Sequence, residues 1–309
     1  MQAKIAVLIP CFNEEPTIGK VVDDFRRALP EATVYVFDNM STDRTAEIAA
    51  EHGATVQRVK LQGKGQVVAK MMETVSADIH LMVDGDDTYP AEDALRLIQP
   101  ILDDEADMVV GTRLEQHSDE AFRPLHVIGN RLVRGLINVV FRCGLTDIMS
   151  GYRAYTAYLA RNVPVTAVGF EVETELTLQT LYHGFVIKEV PVHYRQRPEG
   201  SESKLRTFRD GSRVLWTIFN IFRSARPITF FGSLAILWML LGALAAMPGI
   251  LQYIDHRKVE SFPLLFVGVG LVILSFISAS IGILLHAMNV RIKEITSLMR
   301  KAGGPRRSG

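Results

Sequence analysis

Over the first third of the chain, short apolar runs alternate with segments of helical spacing. Five runs read as strands: IAVLIPCF from Ile5, TVYVFD from Thr33, TVQRV from Thr55, IHLMVDGDD from Ile79 and DMVVGTR from Asp107. Between them, Thr17 to Leu29 lines up Ile18, Val21, Val22, Phe25 and Leu29 on one helical face. Ser41 or Thr42 is placed to cap a helix through Ala46, Ile48 and Ala49. Val67 to Val75 and Glu92 to Leu102 supply two more helices. Strands that are apolar throughout are buried on both faces. Their alternation with helices predicts βαβ units and a mostly parallel sheet. Ligands of such sheets bind at the carboxyl ends of the strands. Polar residues gather there: Asn13 and Glu14, Asp38, Lys64, Asp84 to Asp87, and Arg113.

Beyond residue 115 the pattern changes. HVIGNRLVRGLINVVF, from His126, is apolar with Arg131 and Arg134 interleaved. Thr207 to Arg223 sets Leu215, Ile218, Phe219 and Phe222 on one face and its arginines elsewhere, the pattern of a helix lying in a membrane interface. Two uncharged runs follow, 229–251 with 23 residues and 262–285 with 24. Each exceeds the roughly 20 residues that cross a bilayer core. They predict a transmembrane hairpin, with its connecting loop holding Arg257 and Lys258. More cations precede and follow the hairpin, among them Arg209, Arg213, Arg223 and Arg226 before it and Arg291, Lys293, Arg300, Lys301, Arg306 and Arg307 after it. Cations mark the cytoplasmic side, so the expectation is an integral membrane protein with its large N-terminal part and both termini in the cytoplasm. The opening MQAKIAVLIPCFNEE does not read as a signal peptide, because its apolar run is short and meets two acids. The expected organisation is a soluble α/β domain over 1–205, an interfacial segment over 206–228, the hairpin over 229–286 and a basic tail over 287–309.

Composition narrows the chemistry. The 309 residues balance 34 Lys and Arg against 34 Asp and Glu, which argues against a nucleic-acid binder carrying a basic excess. Cys11 and Cys143 are too few for a disulfide framework or a Cys-built zinc site. The eight histidines show no metal spacing. In Asp84-Gly85-Asp86-Asp87 three carboxylates crowd the end of an apolar strand. Such crowding suits Mg²⁺ or Mn²⁺, which take one or two carboxylates and complete their shell with substrate phosphate oxygens. A solvated acidic turn is the plainer alternative. Gly63-Lys64-Gly65 brings a cation to a glycine-rich turn but lacks the rest of a phosphate-loop signature, with Val68 where a third glycine would stand. Arg131, Arg153, Arg195, Arg197 and Lys204 make the second half rich in groups that suit phosphate or anionic lipid headgroups.

Together, IPCFNEE, FDNMSTDRTAEIA, KGQVVAK, VDGDDTYP, GTR, TDIMSGYRAY, GFEVETEL and EVPVHYRQRPEGSESKL resemble the family-2 glycosyltransferases, and within them the polyprenyl-phosphate branch of dolichol-phosphate mannose synthases and undecaprenyl-phosphate sugar transferases. The resemblance covers residues 5 to about 205. It implies a GT-A fold, a nucleotide-sugar donor and inversion at the anomeric carbon. By position it implies that Pro10, Asn13 and Glu14 border the nucleotide, that Asp38 meets the base or ribose, and that Lys64 and Gly85 lie at the donor. Asp84 and Asp86 would hold the metal. Arg113 and Arg131 would face phosphates, with Asp147, Ser150 and Arg153 lining the site. Glu173 and Glu175 stand where the family has a Gln-x-Glu pair near the sugar. Arg197, Ser203 and Lys204 would hold the acceptor phosphate. Two departures from the mannose synthases, a longer GSESK spacing and Glu173 in place of Gln, favour a UDP-sugar (glucose or an N-acetylhexosamine) over GDP-mannose.

The expected partners are the nucleotide sugar, a polyprenyl phosphate and the bilayer, without nucleic acid. A homo-oligomer and a downstream flippase or lipid-sugar-using transferase complete the expected set. The alternatives are a membrane-anchored nucleotide-sugar-binding scaffold without turnover, and a transferase of the same fold with another lipid acceptor.

Overall fold

The computed structural model describes residues 3–113, 135, 138, 143–198, 207–259 and 261–302. It divides into two units, Met1–Ile218 and Phe219–Gly309. The first is built on seven strands: β1 (Ile5–Cys11), β2 (Thr33–Asp38), β3 (Thr55–Arg58), β4 (Ile79–Met82), β5 (Met108–Thr112), β6 (Arg153–Thr156) and β7 (Ile187–Pro191). Their order is β3-β2-β1-β4-β6-β5-β7. Every pairing is parallel except those of β6, which runs antiparallel to both β4 and β5.

Strand alternation divides the core into two layers. Val7, Ile9 and Cys11 of β1 pack with Ile18, Val21, Val22 and Phe25 of α1 (Ile18–Ala28), Ala49 of α2 (Thr45–Glu51) and Leu97 and Ile98 of α4 (Ala94–Leu102). Ala6 and Leu8 pack on the opposite face with Val67, Val68 and Met71 of α3 (Lys64–Thr74), Leu159 of α5 (Ala157–Asn162) and Leu176 of α6 (Val172–Tyr182). Burial on both faces is why the strand runs are continuously apolar. Each large side chain so enclosed contributes roughly 1.5–3 kcal/mol. The chain steps outward from β1 to β2 and β3, then returns across β1 to β4. That reversal opens the ligand crevice of an α/β sheet, here between the carboxyl ends of β1 and β4.

The five strands expected from the sequence are all present. β6 and β7 are the two it missed. β6 has four residues and begins at a buried arginine, and β7 is the mixed segment IKEVP, only partly buried along its length. Neither shows a strong period. The expected cap of α2 also differs. Helix α2 begins at Thr45, behind Arg44 as N-cap. The hydroxyl of Ser41 instead accepts the Asn13 amide at 2.9 Å.

Helix α7 (Thr207–Ala225) spans the junction between the units. In the second unit, α8 (Pro227–His256) and α9 (Phe262–Ala302) pack antiparallel. Both outrun the apolar runs: α8 continues until Arg257 turns left-handed at φ 55, and α9 continues through a polar, helix-favouring tail. A Cβ on Gly242 would lie 2.9 Å from the Gly268 carbonyl, and one on Gly268 2.8 Å from the Gly242 carbonyl. Glycine at both positions lets the backbones cross closely, as in membrane helix pairs. Both helices are long and apolar enough to span a bilayer, with mean hydropathies of 2.2 and 2.5, and only 17% of that apolar stretch is buried in each. A soluble core helix of this length would be mostly enclosed.

Candidate active site

The crevice is framed first by backbone. After β1, Asn13 takes a left-handed φ of 54. Its Oδ1 accepts the Thr42 amide at 2.8 Å, while the amide of buried Glu14 donates to Thr45 Oγ1 at 2.8 Å. These bonds tie the end of β1 to the turn after β2. Pro10 lies beside Phe37 in the β1–β2 register. Asp38, at the end of β2, is fully buried and accepts the Ser41 amide at 3.1 Å and Arg58 Nε at 3.3 Å. Asn39 was not singled out in the sequence, yet it organises the next loop. Its amide nitrogen donates to the carbonyls of Val59 and Leu61, and its Oδ1 accepts the Gly63 amide at 2.7 Å. The only sequence signal was its place directly after Asp38.

The carboxylates stand at the end of β4. Gly85 is required there by close approach, since a Cβ would fall 2.7 Å from Cys11 Sγ, and its carbonyl accepts Thr17 Oγ1 at 2.7 Å. Asp84 Oδ1 accepts Lys64 Nζ at 2.5 Å, and the same ammonium lies 2.5 Å from Glu173 Oε1. Burial lowers the pKa of Lys64, but the two carboxylates overcome this and hold it above the ordinary lysine value. Asp86 is buried. Its Oδ1 accepts both the amide and the hydroxyl of Thr88, at 3.2 and 2.6 Å, and its Oδ2 meets Arg197 Nη2 at 2.6 Å. Burial, and then the neighbouring Asp84 charge, push its carboxyl above the usual range.

The glycines around Lys64 are required by close packing. A Cβ on Gly63, whose φ is 129, would lie 2.1 Å from the Val168 carbonyl, and one on Gly65 would lie 2.0 Å from that of Ala167. They admit the 165–169 loop against the start of α3. Glu175 fixes that loop. Its carboxylate accepts the amides of Thr166 and Ala167 at 2.9 and 2.7 Å and the Thr166 hydroxyl. The structure therefore makes Glu175 a loop brace, in contrast to Glu173, which reaches Lys64.

Arg113 and Asp147 form a bidentate pair at 2.7 and 2.9 Å, beneath a Tyr194 ring 5.6 Å from the guanidinium. Arg153 and Ser150, expected to line the site, are placed by contacts inside the protein. Both are fully buried. Arg153 donates to the carbonyls of Ser150 and Ile148 and to Thr177 Oγ1, at 2.8, 2.7 and 2.8 Å. It braces the turn that carries Asp147, and Ser150 Oγ lies 3.3 Å from the Tyr89 hydroxyl. The sequence showed a cation in a basic region and had no means of showing that its fork points inward. Arg131, Ser203 and Lys204 lie outside the described residues.

The segment carrying Arg197 is pinned to the loop after Asp86. The His193 amide donates to Asp93 Oδ2 and the Arg195 amide to the Thr88 carbonyl, both at 2.8 Å. The donor set fits a divalent cation that shares its shell with a substrate. Two carboxylates at one strand end draw buried or half-buried cations, and among the described residues no cluster of three His, Cys, Asp or Glu side chains exists that would hold a metal by itself.

A mostly parallel sheet with one reversed strand, and acids at the carboxyl ends of β1, β2 and β4, define an α/β domain with a ligand crevice at that edge. The sequence profile of glycosyl transferase family 2 matches residues 6–163. The chain belongs to that family and is a glycosyltransferase of the GT-A fold. It is 34% identical over 230 residues to glycosyltransferase AglJ of Haloferax volcanii, covering 74% of this chain and 75% of that one. It is 30% identical over 210 residues to the dolichyl-phosphate hexose transferase of the same organism, covering 68% and 90%. A similar fold is that of Mycobacterium tuberculosis glucosyl-3-phosphoglycerate synthase in complex with Mn²⁺, UDP-glucose and phosphoglyceric acid. It superposes with a TM-score of 0.57 at 23% identity over 71% of this chain and 80% of that one.

Proposed function

We propose that this glycosyltransferase moves a sugar from a UDP-sugar, glucose or an N-acetylhexosamine, to a polyprenyl phosphate at the cytoplasmic face of a membrane, with Mg²⁺ or Mn²⁺ bound at Asp84 and Asp86. The carrying observation is the pairing at the end of β4: Asp84 faces Lys64 from α3, and Asp86 faces Arg197 from the segment that leads toward the membrane-length helices. The relative named as a dolichyl-phosphate hexose transferase supports the acceptor class.

The chemistry follows from charge. A phosphate monoester has a second pKa near 6, so the attacking oxygen is already anionic and needs no strong general base. That oxygen forms a bond to the anomeric carbon. The bond from that carbon to the diphosphate breaks on the opposite face, the diphosphate leaves with the electron pair, and the centre inverts. The metal supplies neutralisation of the leaving diphosphate when bound. Asp38 and the frame of Asn13 and Glu14 hold the nucleoside end. Lys64 and Glu173 face the donor side. Arg197, with Arg131 and Lys204, positions the attacking phosphate against its own charge repulsion. A polyprenyl chain cannot leave the bilayer, so the hairpin and the amphipathic α7 keep the site at the acceptor's surface. The cation distribution supports a catalytic unit and both termini on the cytoplasmic side.

The test offers purified full-length protein undecaprenyl phosphate with UDP-glucose, UDP-N-acetylglucosamine, UDP-N-acetylgalactosamine or GDP-mannose, plus Mg²⁺ or Mn²⁺, with products read by mass spectrometry. One lipid-linked sugar, lost with EDTA, is the expected result. Nucleotide-sugar binding without a lipid product from any donor would overturn the polyprenyl-phosphate assignment.

A further inference from the structure

Lys64 answers to two carboxylates. Its Nζ lies 2.5 Å from Asp84 Oδ1 and 2.5 Å from Glu173 Oε1, and 5.9 Å from the centroid of the Phe170 ring. The three charges arrive from different elements: Lys64 opens α3, Asp84 follows β4, and Glu173 stands in the first turn of α6. All are withdrawn from solvent, with side chains 10%, 25% and 6% exposed for Lys64, Asp84 and Glu173. Asp84 is the most accessible of the three, so it is the carboxylate that an incoming cation meets.

Two carboxylates for one ammonium leave a negative charge over. An enclosed surplus charge is costly unless something uses it. Glu173 does not spend its side chain on the backbone, as Glu175 does on the amides of Thr166 and Ala167. Its ion-pair partner is Lys64. The buried Arg153 feels the Glu173 charge from a distance while its own bonds go to Ser150, Ile148 and Thr177. The surplus acquires a use when a divalent cation reaches Asp84. That cation and Lys64 then share one anion and repel each other. An ammonium that also has Glu173 can give up Asp84 and stay paired.

Resting on the function proposed above, we infer that Glu173 is a positioning residue that acts through Lys64. It is the second seat of the ammonium, so that a divalent cation takes Asp84 without stranding an enclosed positive charge. The two carboxylates thereby divide the work: Asp84 serves the metal, and Glu173 keeps the lysine that the metal displaces. A neutral glutamine at 173 would offer Lys64 a hydrogen bond without the charge, and the metal would then compete with the ammonium for its last anion.

A double-mutant cycle separates this role from a direct one. Mn²⁺ binding is measured on full-length protein in detergent, without nucleotide or lipid, from the free Mn²⁺ signal in electron paramagnetic resonance. The proteins are wild type, Glu173→Gln, Lys64→Met and the double variant, with methionine filling the lysine's space without its charge. Lys64→Met should bind Mn²⁺ more tightly than wild type, because the competing ammonium is gone. Glu173→Gln should bind it about tenfold more weakly, a change of about 1.4 kcal/mol, and Glu173→Asp, which keeps the charge, should recover most of that loss. In the Lys64→Met background the Glu173→Gln change should cost no more than about twofold, the scatter expected of uncoupled sites. Melting curves identify any variant that does not fold; if Glu173→Gln is one, Lys64→Met and Glu173→Asp carry the test. An equal loss in both backgrounds, or weaker Mn²⁺ binding by folded Lys64→Met, would overturn the role of Glu173 while leaving the metal site standing. No saturable Mn²⁺ binding by wild type or any variant would overturn both the metal site and this inference.

Discussion

The acids and the cations of this site are held in opposite ways. Asp38, Asp84 and Asp86 stand on the ends of buried strands or in turns closed by backbone amides and the Thr88 hydroxyl. Lys64, Arg113 and Arg197 are placed by the carboxylates they meet. The acids are thus a frame, fixed by the sheet, and the cations are fittings whose positions depend on which anions are present. The contrast also separates two kinds of arginine. Arg197 is partly exposed, whereas Arg153 is sealed and structural.

The largest effect should come from breaking the frame. Asp86→Ala should lower transfer at least 10²–10³-fold, equivalent to about 3–4 kcal/mol of transition-state stabilisation. Its thermal stability should change little, because the substitution also relieves the burial of a carboxylate, and then the repulsion of Asp84, which together raise the Asp86 pKa. Turnover rates beside a melting curve check both halves. Near-normal turnover in a folded variant would remove Asp86 from the frame.

Arg153→Met probes the other kind of arginine and should act on stability. It leaves the Ser150 and Ile148 carbonyls without their donors inside the protein. Each buried group so stranded costs about 1–3 kcal/mol, and a loss of about 3 kcal/mol is expected in denaturant unfolding. Turnover per folded molecule should keep its dependence on lipid phosphate. A selective rise in the acceptor concentration required would return Arg153 to the binding surface.

These two residues show what the sequence made legible. The first five strands and the helices between them follow directly from the spacing of apolar residues, because burial on two faces writes a strong signal. The acids were legible for the same reason, as polar residues placed where apolar runs end. Direction was not legible. Nothing in GYRAY says that Arg153 points into the core, and nothing in VETEL distinguishes Glu173, which meets Lys64, from Glu175, which binds backbone amides. Those assignments depend on contacts between segments far apart in the chain. The roles of Gly63 and Gly65 depend likewise on the 165–169 loop, about 100 residues later.

Gly65→Ala sharpens this point with a somewhat smaller effect. The added Cβ would meet the Ala167 carbonyl at 2.0 Å, so the loop must retreat. Overpacking of this kind costs about 1–3 kcal/mol. A loop held by Glu175 cannot retreat freely, so weaker nucleotide-sugar binding should accompany a lower melting temperature. An unchanged melting temperature with weaker donor binding would favour a phosphate-cradling role for the turn after all.

An effect of similar size, set apart by its pH dependence, concerns the cation that stays paired. Burial raises the pKa of Asp147, but the fork with Arg113 outweighs it and holds the carboxyl below the ordinary aspartate value. A carboxyl depressed on folding contributes stability above its unfolded pKa, near 4, and that contribution disappears as pH falls through the lower folded value. Asp147→Asn should therefore be less stable than wild type at pH 7, by about 1.5–3 kcal/mol for the charged hydrogen bonds it loses. The gap should narrow once the pH drops below about 4. Melting curves of both proteins from pH 7 downward decide it. A gap independent of pH would mean that the pair acts through packing and turn geometry. A closing gap would show that its charge holds Arg113 in place.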